Sequence, residues 1–281
     1  MTRYGSVLRG AWLCTALGVA LSACGAPETA LFTADGQCAA VSQTPDRAQR
    51  ERITAALAEL STARVPESDL AFLPGPENVA DFRAPHVERF WSLGGLAAFM
   101  AVAEEGDATK RLSLVWDERE APARLIHVHL SAPVALGSQL PDIAPVSASD
   151  GDVELVRRVE SFWRSWSDKR VDDVAAHYVE DDSTAVILPW VADVFPDWSG
   201  FFAAAQNVLE ATKRFGMAPM GEPRIWSSPE AALSAGVWTA DVLGADGKVT
   251  RGDARYTLLW RRCEDGWRVQ HEHLSSWDER G

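Results

Sequence analysis

The stretch Trp-Arg-Val-Gln-His-Glu-His-Leu-Ser-Ser-Trp, residues 267–277, holds two histidines two positions apart. Side chains alternate along a strand, so His271 and His273 share a face. Paired imidazoles can hydrogen-bond buried backbone or helix groups. They can also move protons, since an unperturbed imidazole titrates near neutrality. A third use is to offer two nitrogens to one metal ion. A metal site would need a carboxylate and a further histidine downstream, and no histidine follows His273, so no metal or other cofactor is expected. Alternation groups Trp267, Val269, His271, His273 and Ser275, which are expected to line the concave side of a sheet. Arg268, Gln270, Glu272 and Leu274 share the other side, where Arg268, Gln270 and Glu272 are expected to face solvent or a partner sheet.

Other residues could serve the same pocket. Eight of the twelve tryptophans fall between residues 163 and 267. Trp163, Trp198, Trp238 and Trp267 are candidates to line a cavity for a flat apolar ligand, and the alternative is that they are core. Tyr256 and Asp253 are candidate assistants to a histidine acid-base. Asp181 and Asp182 read as caps at the entry to a strand.

The elements that must position these groups occur twice. Aligned without gaps, Arg111–Ala132 and Arg255–Ser276 share nine of 22 residues, among them Trp116/Trp260, His127/His271 and His129/His273. Self-similarity of this kind indicates two related modules. The region upstream of the first copy is shorter by about 37 residues, so residues 45–132 are expected to form an abbreviated module. Residues 133–150, rich in proline and small polar residues, read as a linker, and residues 151–277 as the complete module.

In the complete module Asp152 can cap a helix whose stripe is Leu155, Val156, Val159, Phe162, Trp163 and Trp166. A short helix near Val171–Tyr178, a strand in Thr184–Trp190 and a helix over Gly200–Arg214 follow. Strands are expected at Pro223–Trp226, Ala231–Val242, Arg251–Arg262 and Trp267–Ser275, with Asp246-Gly247 and Asp265-Gly266 as hairpin turns. Helices followed by a run of antiparallel strands make an α+β fold with helices on one face of a curved sheet.

His-Tyr-Val-Glu-Asp-Asp-Ser-Thr-Ala-Val-Ile-Leu-Pro (177–189), the helix at 198–211 and above all Gly252–Ser276 resemble the SnoaL-like and ketosteroid-isomerase-like branch of the nuclear transport factor 2-like superfamily. The resemblance covers roughly residues 150–277. It implies a cone in which a bent sheet wraps a long helix around a pocket, a fold shared by isomerases, cyclases, dehydratases and binding modules. Ketosteroid-isomerase-like enzymes pair a carboxylate base with a tyrosine or acid donor, and Asp241, Asp253 and Tyr256 are the nearest types here. Single cones in the superfamily commonly pair, so the two modules are expected to pack sheet to sheet as a pseudo-dimer in cis. Whether the chain is an enzyme or a binding module stays open.

The N-terminus carries Arg3 and Arg9, an apolar run from Ala11 to Ala20, and Leu21-Ser22-Ala23-Cys24. The run is shorter than the ~20 residues of a membrane-spanning helix and has the layout of a signal peptide. Leu-Ser-Ala-Cys resembles the lipobox of bacterial lipoproteins, which implies cleavage after residue 23, acylation (palmitate) at Cys24 and a tether over residues 24–44. Gly25 implies the outer membrane, facing the periplasm, if the cell has two membranes. Removal of residues 1–23 takes the formal charge from −13 to −15. So acidic a chain is expected to bind no nucleic acid, and its lipid rather than its surface must hold it to a membrane. The expected partners are that membrane and either an apolar small molecule or an envelope protein. Cys38 and Cys263 remain as thiols that could form one disulfide.

Overall fold

The computed structural model describes residues 38–61, 83–105, 108–119, 121–130, 150–181, 183–188, 195, 198–275 and 278–279. They belong to one compact unit, Gly36–Gly281. The expected signal peptide, Cys24 and nearly all of the expected linker lie outside the described residues.

In the complete module the apolar stripe forms α2 (Asp150–Ser167), followed by α3 (Val171–Ala175), β5 (Ala185–Ile187) and α4 (Trp198–Ala211). Four antiparallel strands come next: β6 (Thr212–Ser227), β7 (Ala231–Gly244), β8 (Val249–Cys263) and β9 (Gly266–Leu274). The sheet order is β5-β9-β8-β7-β6, with β5 parallel to β9 and a short β10 (Asp278–Glu279) on β8. Gly247 and Gly266 take the positive φ that the expected turns demand. Leu155, Val159, Phe162, Trp163 and Trp166 of α2 meet Tyr178, Phe201, Trp238, Tyr256, Trp260 and Val269 in one core. Such a helix held in a curved antiparallel sheet is the α+β cone expected from the sequence.

Two boundaries differ from expectation. The helix expected to reach Arg214 stops at Ala211, and the strand expected only at Pro223–Trp226 begins at Thr212. Proline and glycine in this segment read as breaks. But β6 is an edge strand, where a proline costs no ladder hydrogen bond. A register shift between Met220 and Arg224 absorbs the remaining irregularity.

The first module is built on α1 (Arg47–Ser61) and a meander of β1 (Arg83–Leu93), β2 (Leu96–Glu105), β3 (Ala108–Asp117) and β4 (Arg124–Leu130). Ile53 and Ala56 of α1 pack on Phe90, Phe99, Leu114, Trp116 and Val128. Its β3–β4 hairpin corresponds to β8–β9, position by position in the repeat.

A third core lies between the sheets. Trp91, Leu93, Leu96, Ala98, Met100, Val115 and Ile126 from the first module meet Ala185, Ile187, Trp226, Ala231, Leu233, Ala235 and Leu259 from the second. The layers therefore run α1, first sheet, second sheet, α2–α4. Gly94, at φ +53 in the β1–β2 turn, sits so close to the second module that a Cβ there would lie 2.8 Å from the Ala231 nitrogen. Among the described residues no helix is long and apolar enough to cross a membrane.

Candidate functional site

The two histidine pairs do not line the cone. In β8–β9 the register slips by one residue between Leu259↔His271 and Trp260↔Val269, so Gln270 is a bulge. A bulge reverses the alternation downstream of it. Trp267 and Val269 enter the cone core, and after the bulge it is Leu274 and Glu272 that turn inward. His271 and His273 face the other sheet instead. The first module repeats the device at the aligned position: β3–β4 slips between Val115↔His127 and Trp116↔Leu125, leaving Ile126 as the extra residue. The expectation that His271 and His273 share the concave face with Trp267 and Val269 is corrected, and in the first module His127 and His129 likewise leave the face that Leu125 gives to its core. The reason is the same extra residue in each hairpin.

Between the sheets the four rings form a reciprocal network around two hydroxyls. Ser113 Oγ lies 3.0 Å from His271 Nε2 and 2.8 Å from His273 Nδ1. Thr257 Oγ1, at the aligned position of the other copy, lies 2.6 Å from His127 Nε2 and 2.6 Å from His129 Nδ1. His129 and His273 stack face to face with centroids 3.9 Å apart, and His271 stacks on Trp91 at 4.7 Å. The network assigns the tautomers on one side. His271 Nδ1–H donates to the Ala185 carbonyl at 2.9 Å, so its Nε2 accepts from the Ser113 hydroxyl, whose oxygen accepts from His273 Nδ1–H. Burial holds all four imidazoles neutral: His127 is pushed down to about 3 and His271 to about 4, with His129 and His273 also well below their ordinary value.

Inside the cone the polar centre is one that alternation had turned outward. Glu272 has no exposed surface, and its Oε2 accepts a hydrogen bond from the Tyr178 hydroxyl. Its Oε1 is buried without a partner. Burial raises this carboxyl to about 8, with the Tyr178 hydrogen bond pulling the other way, so near neutrality the acid form prevails. Around Tyr178 stand Phe162 at 5.7 Å, Phe201 at 4.9 Å and Trp198 at 5.4 Å, the last only partly buried at the start of α4. The position of the first module aligned with Glu272 is Val128, an ordinary core residue. The bulge was the missing signal for Glu272, since a strand read by alternation alone puts it outside.

Trp163, Trp238 and Trp267 are buried in the cone core and Trp198 packs at its margin, so all four belong to one cluster. Tyr256 is also there, its ring lying over Gly236. Asp253, three residues earlier on β8, projects from the opposite face and is not brought to Tyr256. Asp241 is on the surface, paired with Arg214 at 2.8 Å. Asp181 accepts from the Ser183 backbone N–H at 2.8 Å, as a capping residue does. The open pocket expected in the cone is occupied by Trp163, Trp166, Trp238, Trp260, Tyr178 and Phe201. Among the described residues no group of three or more His, Cys, Asp or Glu side chains could hold a metal ion. Cys38 and Cys263 form a disulfide.

No protein-family model and no curated protein matches the chain. Solved structures do resemble just under half of it. A nuclear transport factor 2-like superfamily protein from Salmonella enterica is 18% identical over 47% of this chain and 94% of its own, with a TM-score of 0.42. A nuclear transport factor 2-like protein of unknown function from Pseudomonas putida is 20% identical over 46% and 87%, with a TM-score of 0.38. A protein with a cystatin-like fold from Caulobacter vibrioides is 17% identical over 46% and 92%, with a TM-score of 0.40.

Proposed function

We propose that this chain is an envelope protein anchored through a lipidated Cys24, and that its second module binds a small, neutral, largely apolar molecule at Tyr178 and Glu272. The observation that carries the binding reading is Glu272 itself. A fully buried carboxylic acid with one oxygen satisfied and the other unpartnered costs about 1–3 kcal/mol, and more if ionised. A ligand oxygen accepting from the Oε1 hydroxyl would recover that cost. The ligand would displace the partly exposed Trp198 ring, which already packs on Tyr178. The aromatic surroundings favour a flat apolar body, and a protonated acid disfavours an anion.

The first module, with Val128 where the second has Glu272, serves in this reading as the structural partner of a single-site pseudo-dimer. The Cys38–Cys263 disulfide supports the envelope location, because disulfides persist in oxidising compartments. An alternative in which a pocket histidine performs isomerase, cyclase or dehydratase chemistry is disfavoured by the enclosure of all four rings between the sheets. An enzymatic version would have to use Glu272 as its proton donor.

The test has two arms. Titration with 2-acetylnaphthalene and 2-ethylnaphthalene, followed by tryptophan quenching, should show the ketone binding at least tenfold more tightly, and Glu272→Leu should erase that preference. Equal binding of the two probes, or binding of neither, would remove the proposed site. In cells, Cys24→Ser should move the protein from the membrane fraction to the soluble fraction, and retention in membranes would remove the lipid anchor.

A further inference from the structure

We infer that the layer between the two sheets is an acid-sensitive joint: protonation of His127, His129, His271 and His273 drives the modules apart while each keeps its own helix-side core. All four rings are enclosed, and His129, His271 and His273 are bonded to hydroxyls or a backbone carbonyl. His129 and His273 are stacked nearly parallel, at 10° and 3.9 Å, so two protons there would place like charges face to face. Their Nε2 atoms are buried with no acceptor for a new hydrogen. A proton on His271 Nε2 would also take away the acceptor of the Ser113 hydroxyl. The His271 bond to the Ala185 carbonyl favours the charged ring, but burial outweighs it.

Charged side chains reach this layer from several elements, and the arginines among them oppose protonation too. From β3 comes Arg111, which pairs with Glu88 of β1 at 3.5 Å. From β8 come Arg255 and Asp253, and from β6 comes Arg224. Asp117 at the end of β3 is taken by Arg119 at 2.6 Å. Arg111, Arg224 and Arg255, together with the neighbouring rings, all push the imidazole titrations down. Against acid stands the apolar layer of Trp91, Leu93, Leu96, Ala98 and their partners.

Separation can be partial and reversible because the two outer cores do not depend on the joint, and because the chain is strapped across it. Cys38 is bonded to Cys263 at the end of β8, and four residues later Ser42 exchanges backbone hydrogen bonds with Ser92 of β1, at 2.9 and 2.8 Å. Once in water, each ring returns to its ordinary titration near 6.5. Below that pH each ring favours the parted state by up to tenfold per pH unit, and four rings act together.

Small-angle scattering and binding of an apolar dye between pH 7.5 and 4.5 would test this on the purified protein. The expected result is a reversible rise in radius of gyration and dye fluorescence with unchanged far-ultraviolet circular dichroism. In His129→Gln/His273→Gln the midpoint should fall by at least one pH unit. Should that variant not fold, exchange of the histidine C2 hydrogens in the wild type, read by mass spectrometry, gives the same answer. The four rings should exchange far more slowly than exposed His86 at pH 7.5 and approach its rate in the expanded state. A constant radius down to pH 4.5, loss of circular dichroism together with expansion, a midpoint unmoved by the variant, or rings that stay slow after expansion would each overturn the inference.

Discussion

At the scale of single residues, the chemistry of this protein turns on which side of a strand a side chain leaves. Glu272 and His273 are neighbours, yet one is bonded to Tyr178 inside the cone and the other stacks on a histidine of the opposite module. Their environments push their titrations in opposite directions by the same means, since desolvation favours the neutral form of either group. Space is as exacting as charge. Gly236 lies under the Tyr256 ring, and a Cβ there would stand 2.9 Å from Cε1 and 3.0 Å from the hydroxyl. Gly236→Ala must therefore move a fully buried ring against Trp163, whose centroid is 5.1 Å away. Overpacking of this kind costs about 1–3 kcal/mol, and a lowered midpoint in thermal unfolding, with circular dichroism of the native state retained, is the expected result.

At the scale of elements, the hairpins and the N-terminal strap do the organising. Each hairpin carries one extra residue, Ile126 or Gln270, which lets apolar side chains on both sides of the slip serve the helix-side core while the histidines reach the other sheet. Gln270 itself is fixed by donating to Ser183 Oγ at 2.8 Å, so the extra residue is tied to the β5 approach. The strap adds a covalent constraint. Cys38 and Cys263 are 225 residues apart in sequence, so the bond removes a large loop entropy from the unfolded chain. Its reduction is expected to cost about 2–5 kcal/mol. Chemical denaturation with and without reductant measures this, and an unchanged midpoint would show that the strap adds nothing to stability.

At the scale of the whole molecule, the buried groups set a pH optimum. The histidines have folded-state values below 6.5, so the unfolded chain binds more protons below that pH and stability falls as the pH drops. Glu272 has a folded value of about 8 against an ordinary 4.5. The native state therefore holds a proton that the unfolded chain has lost, and stability falls as the pH rises across that interval, by at most about 1.4 kcal/mol per unit. His177 is lowered too, so five rings oppose one carboxyl, and the two balance near pH 7, where each unfolded ring is about one-fifth protonated. Stability is expected to peak near pH 7, and Glu272→Gln is expected to flatten the fall between pH 7 and 8. Denaturant midpoints across pH 4.5–8.5 check both limbs, and an alkaline limb unchanged by the substitution would discount the buried acid.

The α+β class, the helix stripe of α2, the hairpin turns at Gly247 and Gly266, and the repeated segment are all legible in the linear chain, because each rests on local periodicity or on direct residue identity. The linear chain also marked Trp163, Trp198, Trp238 and Trp267, which do converge on one core. The faces of β4 and β9 came instead from packing in three dimensions. A single bulge reverses every side chain beyond it, and its position depends on how one strand registers against its neighbour, which no alternation within the strand records. Glu272 was thus hidden by its own strand, and His271 and His273 were assigned the wrong face. The meeting of Ser113 with His271 and of Thr257 with His127 was likewise beyond a linear reading. Their separations of 158 and 130 residues are closed by packing two sheets together, and the aligned repeat shows that the two copies are alike without showing which faces they turn to each other.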